Sequence, residues 1–229
     1  MKKKSGQIWK REPLALLLIM VWTTIVIADE WPQWRGPGRD GVWKETGIVE
    51  SFESSELKIK WRTEISSGYC GPTVANGLVY VSDRVIEPDQ VERVHCFDAK
   101  TGDAVWSYSY DCVYRNVGYT AGPRASVTID QGRAYSLGTM GHLYCFDAAS
   151  GERHWTKRIG TRFSSSLVAA AGKVYLLSDQ GEMTIIRPGS DFDEVATCPL
   201  GEPCSSSPAI SDGSLFIRGH EHLYCIGEP

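Results

Sequence analysis

The chain has 229 residues and a formal charge of −4, and it is 42% hydrophobic, 10% aromatic and 23% charged. This is the balance of a folded soluble domain, and it excludes a disordered chain, a collagen-like repeat and a multi-span membrane protein. A mildly acidic chain is also poorly suited to nucleic acid, whose binding runs on Lys and Arg clustered at phosphates, so no nucleic-acid partner is expected.

Residues 1–28 read as an address. Lys2, Lys3, Lys4, Lys10 and Arg11 precede an apolar run from Leu14 to Ala28 that is interrupted at Thr23 and Thr24. Val26 and Ala28 supply the small residues of a cleavage site, which makes the pattern that of a Sec signal peptide. An uncleaved anchor is the other reading, although spanning helices usually need about 20 apolar residues. Either way the segment predicts an exported, periplasmic or envelope-associated protein of bacterial type. Membrane contact is expected only through this segment, if it is retained.

A stretch rich in aromatic residues, Gly and Pro fills residues 29–56, and repeats begin after it. Leu57, Ile59, Trp61 and Thr63 alternate with Lys58, Lys60, Arg62 and Glu64, the period of a strand. The first repeat, near 66–110, predicts strands at Thr73–Ala75, Leu78–Ser82, Val91–Phe97 and Ala104–Tyr108. The second, near 121–160, predicts Ala125–Ile129, Arg133–Leu137, His142–Phe146 and Arg153–Arg158. The third, near 163–200, predicts Ser166–Ala170, Val174–Ser178, Met183–Arg187 and Val195–Leu200. The fourth, near 205–229, predicts only Pro208–Ser211, Leu215–Arg218 and Leu223–Ile226.

Two registers define this repeat. Cys96-Phe97-Asp98 runs through Gly102 to Trp106, and Cys145-Phe146-Asp147 runs through Gly151 to Trp155. Turns at Asn76-Gly77, Gln131-Gly132, Ala171-Gly172 and Asp212-Gly213 each precede a β-branched or aromatic pair, because such hairpins need the positive φ that glycine adopts cheaply. A period near forty residues built from short strands signals a propeller or a related β array. The expected fold is an all-β propeller of about four four-stranded blades. The orphan strand Leu57–Glu64 is expected to complete the fourth blade beside Leu223–Ile226, which would remove an exposed edge.

The Phe-Asp-Ala-x-x-Gly-x-x-x-Trp units resemble the tryptophan-docking repeats of quinoprotein-like β-propellers. These are the pyrroloquinoline-quinone (PQQ) repeats of alcohol dehydrogenases, shared by a non-enzymatic outer-membrane assembly factor. Asp29-Glu30-Trp31-Pro32-Gln33-Trp34-Arg35-Gly36-Pro37 also looks like the mature N-terminus of exported bacterial members. The third repeat departs from the pattern, with Pro188-Gly189-Ser190-Asp191 in place of the turn and no tryptophan after it. Members usually carry seven or eight blades. Against that number the chain looks internally shortened, between Arg158 and Phe163, or derived from a fragment.

No residue is assigned a catalytic, cofactor-binding or metal-binding role. Asp98 and Asp147 sit where a carboxylate accepts backbone N–H groups of its own turn. Trp106 and Trp155 are expected to cover the neighbouring blade's turn. Cys96, Cys145 and Cys225 share one repeat position, too far apart for disulfides, and read as small apolar residues of the third strands. Cys198 and Cys204 either close a small loop or remain thiols, and an odd total of seven leaves at least one unpaired. His220 and His222 could begin a metal site but lack an evident third ligand; a solvated hairpin with Glu221 is the other account. Small residues at Ser164–Ser166 and Ser205–Ser207 relieve crowding near the axis, and Arg124 and Arg162 near the innermost strands suit an anion or a polar channel.

Function stays open between two classes. One is a non-catalytic exported propeller that binds another envelope or extracellular protein, with no cofactor. The alternative is a PQQ-dependent oxidoreductase or a degraded relative. That activity needs calcium, a base and stacking groups, and the related dehydrogenases add an adjacent cysteine pair that is missing here. A third reading, sugar binding, draws on Tyr110, Tyr114 and Tyr119. Clustering of Arg124, Arg162 and a carboxylate at the axis would favour the enzyme, and an axis of Ser, Gly and Ala would disfavour it. The chain is expected neither to bind PQQ tightly nor to oxidise alcohols or sugars.

Overall fold

The computed structural model describes residues 30–42 and 57–227. The signal segment at 1–28 lies outside the described residues, as do residues 43–56. Fifteen strands form four antiparallel sheets, with no helix among the described residues. The first sheet orders β1 (Thr73–Ala75), β2 (Leu78–Val85), β3 (Val91–Asp98) and β4 (Ala104–Asp111) as they occur in the chain. The second holds β5 (Thr128–Asp130), β6 (Arg133–Leu137), β7 (His142–Asp147) and β8 (Arg153–Arg158). The third holds β9 (Val168–Ala170), β10 (Lys173–Leu177), β11 (Glu182–Arg187) and β12 (Asp193–Pro199). The fourth has three strands only, β13 (Ala209–Ser211), β14 (Ser214–Arg218) and β15 (Leu223–Ile226).

Local chemistry sets these meanders. At the first turn of every blade both central residues have positive φ: Asn76 and Gly77, Gln131 and Gly132, Ala171 and Gly172, Asp212 and Gly213. Their twist matches that of the flanking strands, as in type I′ hairpins. The third and fourth strands of blades one to three slip register at one repeat position, after Cys96, Cys145 and Ile185. In the first two blades this bulge precedes the Asp-to-Gly turn.

Blades stack through aromatic residues. The Trp106 Nε1 donates to Ala148 O at 3.0 Å in the next blade's turn, and Trp155 Nε1 donates to Gly189 O at 3.2 Å. A Cβ on Gly151 would lie 2.6 Å from the Trp106 ring, so only glycine lets the indole sit down on the turn. Tyr110 and Tyr144 lie 4.6 Å apart and Trp106 and Phe146 5.5 Å apart, filling the gap between the first and second blades. Leu143, Phe163, Leu167, Leu176 and Ile186 fill that between the second and third.

The expectation for residues 57–64 fails. They form no strand, and they lie against the first blade rather than beside β15. Trp61 Nε1 donates to Ala99 O at 3.1 Å, Thr63 Oγ1 donates to Gly102 O at 2.6 Å, and a Cβ on Gly102 would meet the Trp61 ring at 2.6 Å. Trp61 therefore does for the first blade what Trp106 does for the second. Alternating sequence marked the segment as an outer strand, but its tryptophan decides where it docks. Among the described residues no hydrogen bond joins the fourth blade to the first, and the ring is open.

An N-terminal strap crosses the inner strands. Trp31 pairs with Val74 through bonds of 2.8 and 2.9 Å, Ile129 N donates to Pro32 O at 2.7 Å, and Ala169 N donates to Gln33 Oε1 at 3.4 Å. Val74, Ile129 and Ala169 are the middle residues of β1, β5 and β9. Their outward N–H groups belong to free sheet edges, which the strap satisfies. Arg39 Nη2 then reaches Pro208 O at 2.8 Å, at the start of the fourth inner strand.

Candidate functional site

In an antiparallel meander the turns between second and third strands and the loops between blades fall at one end, here termed the loop face. Beneath it lies a carboxylate that the sequence reading passed over. Glu92, fully buried on β3, accepts Tyr110 OH at 2.6 Å, Tyr114 OH at 2.5 Å and Thr139 N at 3.1 Å. Gly138 gives it room, since a Cβ there would strike Glu92 Oε2 and Tyr110 OH. The signal was available in the alternation: Glu92 is in phase with buried Val94 and Cys96. A charge at an inward strand position requires partners.

The network continues to the surface. Burial and the Glu92 charge push the thiol of Cys112 well above its ordinary range, so it stays protonated. Its Sγ lies 3.7 Å from His142 Nδ1, while Arg158 Nη1 meets His142 Nε2 at 2.7 Å. A guanidinium can only donate, so Nε2 accepts and Nδ1 carries the proton. Burial, and then Arg158, lower the His142 pKa, which keeps the ring neutral. Arg84 lies 3.8 Å over the Tyr114 ring and donates to Thr120 O, pinning the loop above.

Arg158 also lines a pocket of about 450 Å³ on the loop face, together with Arg115, Arg162, Met140, Thr161 and Gln180. Arg162 Nη1 donates to Asn116 O at 2.9 Å. With its amide turned to suit its neighbours, Gln180 O accepts from Arg162 Nε and Nη2 at 3.2 and 3.1 Å. Arg124 points elsewhere. It donates to Ser164 Oγ at 2.9 Å, to Tyr119 O at 3.1 Å and to Gly118 O, and Ser164 passes its own hydroxyl to Asp179 Oδ2 at 3.1 Å. Arg124 and Arg162 thus engage different partners, and Arg124 reaches a carboxylate through Ser164.

The other sequence candidates are found as follows. Asp98 accepts Lys100 N and Thr101 N at 2.8 and 2.9 Å, and Asp147 accepts Ala149 N and Ser150 N at 3.1 and 2.8 Å. These backbone bonds hold both carboxyls below their usual range. All seven cysteines are thiols. Cys96 and Cys145 are buried, and burial pushes both thiols up to about 11. Cys225 departs from the reading: it is exposed, and among the described residues no outer strand of the fourth blade covers it. His222 Nδ1 lies 3.5 Å from Glu202 Oε1, and Glu202, Glu221 and His222 cluster together without His220. Glu202 is already engaged by the backbone N–H groups of Glu221 and His222 at 2.9 and 3.0 Å. Of the three tyrosines offered for sugar, Tyr110 is buried and Tyr114 is bound to Glu92, which leaves only Tyr119 exposed. Along the axis, Ser126 N donates to Ser166 Oγ at 3.2 Å and Ser166 N to Ser207 Oγ at 2.9 Å, lacing three blades together.

Successive four-stranded meanders, stacked tryptophans and a loop-bearing face define a β-propeller of the PQQ-repeat type. A family model described as outer membrane protein assembly factor BamB matches residues 44–108 and 90–188, and the chain belongs to this PQQ-like repeat family. Comparison with the curated proteins gives no match. Among solved structures, quinohemoprotein alcohol dehydrogenase ADHIIG from Pseudomonas putida HK5 is similar at 17% identity and a TM-score of 0.50, over 69% of this chain and 29% of that one. BamB from Moraxella catarrhalis is similar at 15% identity and a TM-score of 0.49, over 72% of this chain and 61% of that one. A europium-containing methanol dehydrogenase is similar at 16% identity and a TM-score of 0.49, over 62% of this chain and 27% of that one. The chain thus spans between 27% and 61% of the length of these structures. At such identities the likeness speaks for the fold alone.

Proposed function

We propose that this chain is an exported, non-catalytic propeller whose loop face binds another envelope or extracellular protein. One observation carries the reading. Among the described residues the two fully buried carboxylates, Asp83 and Glu92, are both held in structural bonds. Asp83 accepts Arg93 Nε at 2.8 Å and Ser66 N at 2.6 Å, and Glu92 is closed by Tyr110, Tyr114 and Thr139. A general base must reach its substrate's proton, and neither group is placed to do so.

The quinoprotein alternative draws on the Arg124–Ser164–Asp179 chain. Its groups are engaged with one another and with loop carbonyls, an arrangement that ties loops together. The family's quinone is a planar tricarboxylate used with calcium, and the laced serines of the axis offer it neither a stacking surface nor a set of carboxylate ligands. The described residues do not fit it.

The test has two arms. The purified protein, given PQQ and calcium, is expected to show no substrate-dependent dye reduction with alcohols or aldoses; saturable turnover would overturn the reading. A photo-crosslinking residue at Tyr119 on the loop face is expected to capture a discrete envelope protein, and one at Gln131 on the turn end is not. Equal capture from both positions would also sink it.

A further inference from the structure

We propose that the arginine-lined pocket between the second and third blades is a docking site for an acidic peptide segment of the partner, a proposal that rests on the protein-binding reading above. Three guanidiniums, those of Arg115, Arg158 and Arg162, line one concavity, and among the described residues no carboxylate lines it. None of the three is in an ion pair among the described residues. The nearby acids are engaged elsewhere: Asp179 accepts Ser164 N at 2.8 Å, and Glu92 is closed by its two tyrosines and Thr139. Clustered cations repel one another, so a chain with a net charge of −4 concentrates positive charge here against the trend of its composition.

Two of the three are also held in place by neutral groups. Arg162 is fixed by the Asn116 carbonyl and the Gln180 amide, and Arg158 by the neutral imidazole of His142. Each guanidinium has five N–H donors in a planar fork, so several donors remain after these bonds. That fork fits a carboxylate in bidentate fashion, and fixing it beforehand lowers the ordering cost of binding. A volume of about 450 Å³ exceeds what one carboxylate requires. Acidic side chains at alternate positions of an extended segment project to the same side, about 7 Å apart. Met140 gives an apolar wall against which their methylenes pack.

The test uses the full chain and a dye-labelled octapeptide with glutamate at alternate positions, followed by fluorescence anisotropy at low salt. Saturable binding is expected, with lysine in place of glutamate abolishing it. Arg115 is exposed and makes no hydrogen bond or ion pair among the described residues, so Arg115→Glu leaves the fold intact. That variant should weaken binding roughly tenfold or more, since one charge partner is reversed. Exchanging one peptide glutamate for lysine should then recover affinity for Arg115→Glu while losing it for the parent. Equal affinity of parent and variant overturns the proposal. So does preference for inorganic phosphate or a phosphoserine peptide, which would make the site a phosphoryl site. Loss of peptide binding with Tyr119 cross-links retained removes this site and leaves the partner reading; PQQ-dependent turnover removes the reading itself.

Discussion

The second and fourth blades begin from nearly the same sequence and end in different states. His142-Leu143-Tyr144-Cys145 and His222-Leu223-Tyr224-Cys225 are identical, yet Leu143 is fully buried and Leu223 is 75% exposed. The second blade has an outer strand on one side and the indole of Trp106 on its turn; among the described residues the fourth has neither. Burial is thus conferred by neighbours, and the repeat motif becomes a core only where a fourth strand and a docked tryptophan close over it. A strand alone, however apolar, leaves its edge and half its side chains in water.

The comparison is tested most severely at Trp106. Trp106→Ala removes a ring packed on Tyr80 and Phe146 and a bond to Ala148 O, and should cost about 3–5 kcal/mol in urea unfolding. Phe216→Ala in the fourth blade, where the ring is 37% exposed, should cost under about 1.5 kcal/mol. Equal costs would mean that both blades are packed alike. Next in size is Glu92→Gln, which places an amide donor among groups that themselves donate. A loss of about 1–3 kcal/mol is expected, with the loop residues around Tyr114 becoming protease-sensitive.

Asp83 sharpens the comparison through pH. Burial pushes its carboxyl up, but the His95 ring 3.2 Å away and hydrogen bonds from Arg93 and Ser66 N outweigh burial and hold it far below the usual range. A carboxyl lowered in the folded state contributes stability that is complete above the unfolded value, ~3.9, and is lost as pH falls towards the folded one. Asp83→Asn should therefore cost about 2 kcal/mol at neutral pH, a figure reduced for the partial exposure of Arg93, and progressively less in acid titrations. A pH-independent difference would refute this. The smallest effect is expected at the cysteines. Cys225→Ser should change stability by under about 0.5 kcal/mol, and a maleimide should label Cys198 and Cys225 in the folded protein while sparing Cys96 and Cys145.

Most of the architecture was legible because turn chemistry and hydrophobic phase are local. Asn76-Gly77 and its counterparts fix hairpins by φ alone, and the spacing from Asp98 to Trp106 fixes the docking unit. Where reasoning failed, the answer lay between distant residues. Leu57–Glu64 alternates like any outer strand, and nothing within it reveals that Trp61 seats on Gly102 rather than beside Leu223. The arginine pocket is assembled from two blade-to-blade loops, two turns and the end of β8, so Arg115, Arg158 and Arg162 were visible singly but not as a group. Glu92 was legible and was missed: its inward phase on the strand was a sufficient sign.

The strap sets an order of events during folding. Residues 30–39 are synthesised before any blade, yet their partners come later and in sequence: Val74, then Ile129, then Ala169, and finally Pro208. A chain delivered N-terminus first, from the ribosome or through an export channel, presents these partners in that same order. The first part made is therefore among the last to be fully seated, and each bond it forms records the arrival of one more inner strand. Until Pro208 is in place, Arg39 must wait with its guanidinium unengaged by the fourth blade. The segment works as a clock for assembly, and a chain halted after the third blade would hold three of its four fastenings.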